Sequence, residues 1–191
     1  MKVNSEITAK IFSYLFVPPV MTLIIFAEIG LNSNGHFSEI FLNALLFGFV
    51  LPIAVFVYLR KKNLVVNDDA VIKEERTLPY LIGALLTLVA FFVSWRTTGF
   101  SLATSTWVIY FVTSLLITAI NKFWKISAHA MGVGIPLGVT LFEGNSLSLF
   151  FAVVLVIVFW ARLKLHVHTP MQVVAGALTG IFVSLAILYL R

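Results

Sequence analysis

The sequence predicts an all-α, polytopic membrane protein folded as a single bundle of six or seven transmembrane helices, and three observations predict it. First, 60% of the residues are hydrophobic and only 11% charged, with a mean hydropathy of +1.03. A soluble domain of this length buries its core with far less. Second, the apolar residues gather into separate stretches of about 15 to 22 residues, against about 20 needed for a full crossing. Third, the basic residues flank those stretches unevenly, as membrane topology demands. The net charge of +5 therefore reads as topology and not as a nucleic-acid surface, since no aromatic-interleaved basic face is present. Cysteine is absent, which excludes a disulfide framework, a thiolate metal site and a cysteine nucleophile.

The stretches are expected near 9–30, 38–59, 79–95, 101–121, 129–142, 147–161 and 169–190. The first holds Pro18-Pro19, which kinks a helix or splits it in two. No small-residue cleavage site follows, so this stretch is read as retained and not as a signal peptide. The second leads into the longest polar segment, Arg60 to Leu78, with Lys61, Lys62, Asp68, Asp69, Lys73, Glu74, Glu75 and Arg76. Its mixed charges lack a metal-ligand spacing and describe a solvated loop or short surface helix better than a magnesium site. The fifth stretch is short and carries Gly132, Gly134, Pro136 and Gly138, so a tilt, a kink or close packing is expected. The sixth is short as well. The seventh contains Gly176-Ala177-Leu178-Thr179-Gly180, a small-residue pattern that lets helices approach closely. Trp95, Trp124 and Trp160 fall near span ends, where interfacial aromatics gather. One domain, 1–191, is expected.

If each stretch crosses once, the amino-terminus, the 60–78 loop, the 122–128 turn and the 162–168 turn share one face. Lys2, Lys10, Arg60, Lys61, Lys62, Lys73, Arg76, Lys122, Lys125, Arg162 and Lys164 fall there, against Arg96 and Arg191 opposite. The positive-inside rule makes that face cytoplasmic. The expected location is thus an integral membrane position in a bacterial inner (plasma) membrane.

Two short stretches on this face carry chemistry: Ser127-Ala128-His129, and Arg162 followed by His168 within Ala161-Arg162-Leu163-Lys164-Leu165-His166-Val167-His168-Thr169-Pro170-Met171-Gln172. Ionisable groups at the edge of a span are costly and mark function. Two histidines, an arginine, a serine and helix amino-termini together suit a phosphate group.

These residues resemble the type 2 phosphatidic acid phosphatases, membrane enzymes that share an all-helical fold with vanadium haloperoxidases. The family shows Lys-six-residues-Arg-Pro, then Pro-Ser-Gly-His, then Ser-Arg-five-residues-His-three-residues-Asp. Here the second motif reads Ile126-Ser127-Ala128-His129. The third reads Ala161-Arg162, His168 and Gln172, continuing into Val173-Val174-Ala175-Gly176, and its arginine-to-histidine interval matches. The resemblance covers about 70–190 and implies a lipid-phosphatase-like core, a membrane lipid phosphate or diphosphate as substrate, no cofactor and a phosphohistidine mechanism. It implies that His168 attacks phosphorus and His129 protonates the leaving oxygen. Arg162, Ser127 and a first-motif cation, Arg76 or Lys73, would hold the phosphate oxygens. The sequence departs from the family at Ala128 in place of glycine, in the spacing of Lys73, Arg76 and Pro79, and at Gln172, where the family has an aspartate that orients the nucleophilic histidine. In a comparable triad, exchanging the orienting carboxylate for its amide lowers turnover about 10⁴-fold.

Simpler roles compete. Thr169-Pro170-Met171-Gln172 also reads as a capping box, with Thr169 as N-cap and Gln172 reaching back to its amide. Ser127 also suits an N-cap, Arg162 and Lys164 suit snorkelling anchors, and His166 suits an interfacial histidine. The departures support a second function, a catalytically impaired relative that binds anionic headgroups or a membrane protein partner. A haem protein with His129 and His168 as axial ligands is a third, weakened because both histidines lie at helix ends.

Overall fold

The computed structural model describes residues 2–66 and 74–191, and the regular structure among them is all helical, with no strand. The helices are α1 (Lys2–Leu15), α2 (Pro18–Leu31), α3 (Phe37–Lys61), α4 (Thr77–Thr98), α5 (Leu102–Phe123), α6 (Ala128–Phe142), α7 (Leu147–Lys164) and α8 (Pro170–Tyr189). Every expected apolar stretch is thus a helix or a helix pair. Five are long and apolar enough to cross a membrane, and the α1–α2 pair, bent by 49° at its break, makes a possible sixth. The break falls where Pro18 and Pro19 withhold two amides from the preceding turn. The helix α6 is shorter at 15 residues, about 22 Å at 1.5 Å per residue. It is nonetheless buried at every position from Ala130 to Thr140.

The chain divides into two compact units, Met1–Met21 with Lys125–Leu190, and Thr22–Trp124 with Arg191. In the second unit α4 packs chiefly on α5, and Asn43 of α3 donates to the Ala90 carbonyl of α4 at 2.9 Å. The segment Ala44–Val50 of α3 winds as a π-helix. Pro52 accounts for it: the proline has no amide for the carbonyl one turn back, and its ring pushes that carbonyl aside. Gly48 lies in this widened turn, where a Cβ would come within 2.6 Å of Thr22 and 3.2 Å of Trp107. Trp107 stacks on Phe26 with ring centroids 4.3 Å apart. The hydroxyls of Thr106, Thr113 and Thr118 bond to carbonyls of their own helix, α5, so that these polar side chains are satisfied without water.

In the first unit α6 and α8 run side by side and in the same direction, and their glycines interlock. A Cβ on Gly134 would lie 2.5 Å from the Ala177 carbonyl oxygen, one on Gly138 2.7 Å from Ser184, and one on Gly180 2.6 Å from the Met131 carbonyl oxygen. The expected small-residue packing is therefore reciprocal: Gly134 and Gly138 of α6 pack on the α8 backbone at Ala177 and Ile181, while Gly176 and Gly180 of α8 pack on the backbone of Ser127 and Met131, each pair four residues apart. Helix α7 returns the chain between them and packs on α6, while α1 packs along α7. Phe12 meets Trp160 edge to face at 6.4 Å. Helix α7 also runs three residues past its apolar stretch, to Lys164, which places Arg162 and Lys164 in its last turn, where the helix dipole favours cations.

Candidate functional site

Two helix stops and starts, with almost no linker, build the end of the first unit where the sequence motifs fall. The helix α7 ends in a Schellman motif. Val167 N donates to the Arg162 carbonyl at 3.3 Å and His166 N to the Leu163 carbonyl at 3.0 Å, with His166 in the left-handed region at φ 55°. Histidine tolerates that region better than most residues, which gives His166 a backbone role. The next residue but one is His168, and Thr169 already caps α8. The fixed interval between Arg162 and His168 is therefore the length of one helix stop joined directly to one helix start.

The capping box of α8 is complete. Thr169 Oγ1 accepts from Gln172 N at 3.4 Å, and Gln172 Oε1 accepts from Thr169 N at 3.1 Å. Gln172 Oε1 also lies 3.2 Å from His168 Nδ1. The capping bond settles the orientation of the amide, since the Thr169 N–H needs an acceptor. The same oxygen then makes Nδ1 the protonated nitrogen of His168 and leaves the imidazole lone pair on Nε2. Capping and histidine orientation, which the sequence leaves open as alternatives, are both carried by one carbonyl oxygen. His168 itself is buried, at 7% exposure.

The start of α6 is bound directly to the start of α8. Ser127 N donates to the Gln172 carbonyl at 3.0 Å, and a Cβ on Gly176 would run into the Ser127 carbonyl oxygen. Ser127 is fully buried, and its hydroxyl caps α6 by accepting from Ala130 N at 3.3 Å. His129, half-buried, is the second residue of α6. Two helix amino-termini thus open side by side, and both favour negative charge.

Arg162 comes to the same reversal through its backbone, but its guanidinium turns towards α1. It is 1% exposed, and Nη1 donates to Ser13 Oγ at 2.7 Å. Lys125, just before α6, reaches across to donate from Nζ to the Val167 carbonyl at 2.9 Å. Neither Ser13 nor Lys125 stands out as a site residue in the sequence. Ser13 has no local signal, and Lys125 reads there as a flanking cation that, like Arg76, Arg162 and Lys164, chemistry could retain, with no role of its own assigned.

Ser127, His129, Arg162, His168 and Gln172 therefore share one end of one unit. Arg76 belongs to the other unit, where it is buried in the 3-10 turn Glu74–Arg76 that leads into α4. Lys73, Asp68 and Asp69 lie outside the described residues. Among the described residues no three histidine, aspartate or glutamate side chains gather as metal ligands. No family model, curated protein or solved structure matches the chain.

Proposed function

We propose that this protein is an integral membrane phosphatase or phosphotransferase acting on a lipid phosphate or diphosphate through a phosphohistidine on His168. The observation that carries the reading is the contact from His168 Nδ1 to Gln172 Oε1, because it sets the tautomer in which Nε2 holds the lone pair. In the reaction, Nε2 attacks phosphorus and the bond from phosphorus to the lipid oxygen breaks. His129, as imidazolium, gives that oxygen its proton. Water then attacks the phosphohistidine with His129 as base, the phosphorus–nitrogen bond breaks, and phosphate leaves. Charge on the transferring oxygens falls beside the amino-termini of α6 and α8. Release of inorganic phosphate from a panel of glycerol-based, isoprenoid and sphingoid lipid phosphates by detergent-purified protein tests this. Turnover of at least one class that is lost in His168→Ala is the expected result.

The burial of Ser127 and Arg162, with the Ser127 hydroxyl spent on capping α6 and Arg162 Nη1 bound to Ser13, favours a second reading, a relative that binds anionic headgroups without turnover. Equal headgroup binding by wild type and His168→Ala, with no phosphate released from any lipid, selects it.

The site faces the cytoplasm in this proposal, on the strength of the cation bias across the spans. A single cysteine introduced at Lys62, in a chain that has none, should resist an impermeant thiol reagent in intact cells and react after lysis. Labelling in intact cells reverses the orientation.

A further inference from the structure

A phosphoryl group on His168 carries more negative charge than Arg162 alone neutralises. Of the two other candidate cations, Arg76 belongs to the second unit and Lys73 lies outside the described residues. Lys125 does lie in the unit. Its Nζ is bound at 2.9 Å to the carbonyl oxygen of Val167, the oxygen of the peptide that leads into His168. Covalent geometry then holds the ammonium within about 6 Å of the His168 Cα. The side chain is part-buried, so its charge is less screened than at an open surface. The charge of the unit points the same way. Its own acidic residues are Glu6 and Glu143, against Lys2, Lys10, Lys125, Arg162 and Lys164. Glu143 follows the far end of α6, about 22 Å of helix away from Ser127.

We propose that Lys125 is a phosphate-binding residue of this site, its ammonium meeting an oxygen of the phosphoryl group that His168 attacks. The proposal rests on the phosphatase reading above. A latch on the Val167 carbonyl needs only a hydrogen-bond donor, which a neutral side chain provides; an anion reads the charge. Lysine, with three donors on one nitrogen, joins a carbonyl and a phosphate oxygen at a single point.

The full-length protein in detergent, carrying Lys125→Gln or Lys125→Arg, separates the two roles. Lys125→Gln keeps a donor and loses the charge. It is expected to raise KM for a short-chain phosphatidate and the inhibition constant of orthovanadate about tenfold or more, with the thermal midpoint held. Lys125→Arg is expected to retain most of the affinity. Wild-type constants in Lys125→Gln overturn the proposal, as does an arginine variant that loses affinity and thermal stability together. Should Lys125→Gln fail to fold, Lys125→Cys supplies the same comparison, because the chain has no other thiol. Alkylation with 2-bromoethylamine restores an ammonium and should restore affinity, whereas iodoacetamide leaves a neutral amide and should not; equal affinities overturn the proposal. If wild type turns over no lipid, the phosphatase reading fails by itself, and direct binding of orthovanadate still decides on Lys125. Binding about tenfold weaker in Lys125→Gln sustains its anion-binding role, and equal or absent binding removes it.

Discussion

Replacing Gly176 by leucine is expected to prevent the protein from accumulating as a folded, monodisperse species in detergent. Any Cβ at this position meets the Ser127 carbonyl oxygen, at a separation that real side chains do not adopt. That oxygen cannot give way cheaply, because it accepts the first helical bond of α6 from Met131 N at 3.0 Å while Ser127 N is tied to the Gln172 carbonyl. The remaining route is to part α6 from α8 along their whole glycine seam, at a cost of about 3 kcal/mol or more. Gly83 of α4 provides the control, since a Cβ there meets nothing within 4 Å. Gly83→Ala should leave the thermal midpoint unchanged or raise it, alanine being about 1 kcal/mol better than glycine inside a helix. Size-exclusion profiles and thermal unfolding of both variants check this. A Gly176→Leu protein with a wild-type midpoint removes the close helix approach on which the site geometry depends.

The second large effect concerns His168 and the residue that orients it. On the proposed mechanism His168→Ala should abolish turnover, since it removes the nitrogen that takes the phosphoryl group. At Gln172 the geometry selects glutamate over aspartate as the informative charged substitution. One carbonyl oxygen serves both the Thr169 amide and His168 Nδ1, and only a side chain of the same length keeps both contacts. Gln172→Glu adds a negative charge beside the imidazolium and at a helix amino-terminus. It should raise kcat about tenfold and leave the cap intact. Gln172→Leu keeps the Thr169 cap on the backbone N of residue 172 but should lose the reciprocal bond to Thr169 N, costing about 1 kcal/mol of stability, and most of the turnover as well. Steady-state rates on one lipid phosphate, with midpoints measured alongside, distinguish the cases. If Gln172→Leu lowers stability and leaves kcat unchanged, Gln172 is a capping residue alone.

The sequence displays those features that are local in the chain. Apolar runs, Pro18-Pro19, the Thr169 capping box and the glycine pairs each act within a turn or two, and each becomes the element its pattern implies. Hydropathy ends the sixth stretch at Ala161, whereas the helix continues to Lys164 and is stopped by the Schellman motif that closes at His166. The π-helical segment of α3 has only Pro52 as a cue and shares its composition with any apolar helix. At Gln172 the two alternatives of capping and contact with His168 meet on one oxygen, whose two lone pairs allow both. The pairings of Ser13 and Lys125 are not legible, although Lys125 is among the cations that chemistry could retain, because these contacts reach across 149 and 42 residues of chain and no periodicity records them.

The phosphohistidine itself is the most direct measurement. Wild-type protein mixed with a lipid phosphate labelled at phosphorus and denatured within the first turnover should retain the label in a form stable to alkali and lost in acid, as a phosphorus–nitrogen bond requires. The label should map to the peptide containing His168 and be missing from His168→Ala. Sustained phosphate release by His168→Ala, or label recovered from any residue other than His168, would contradict the proposed mechanism.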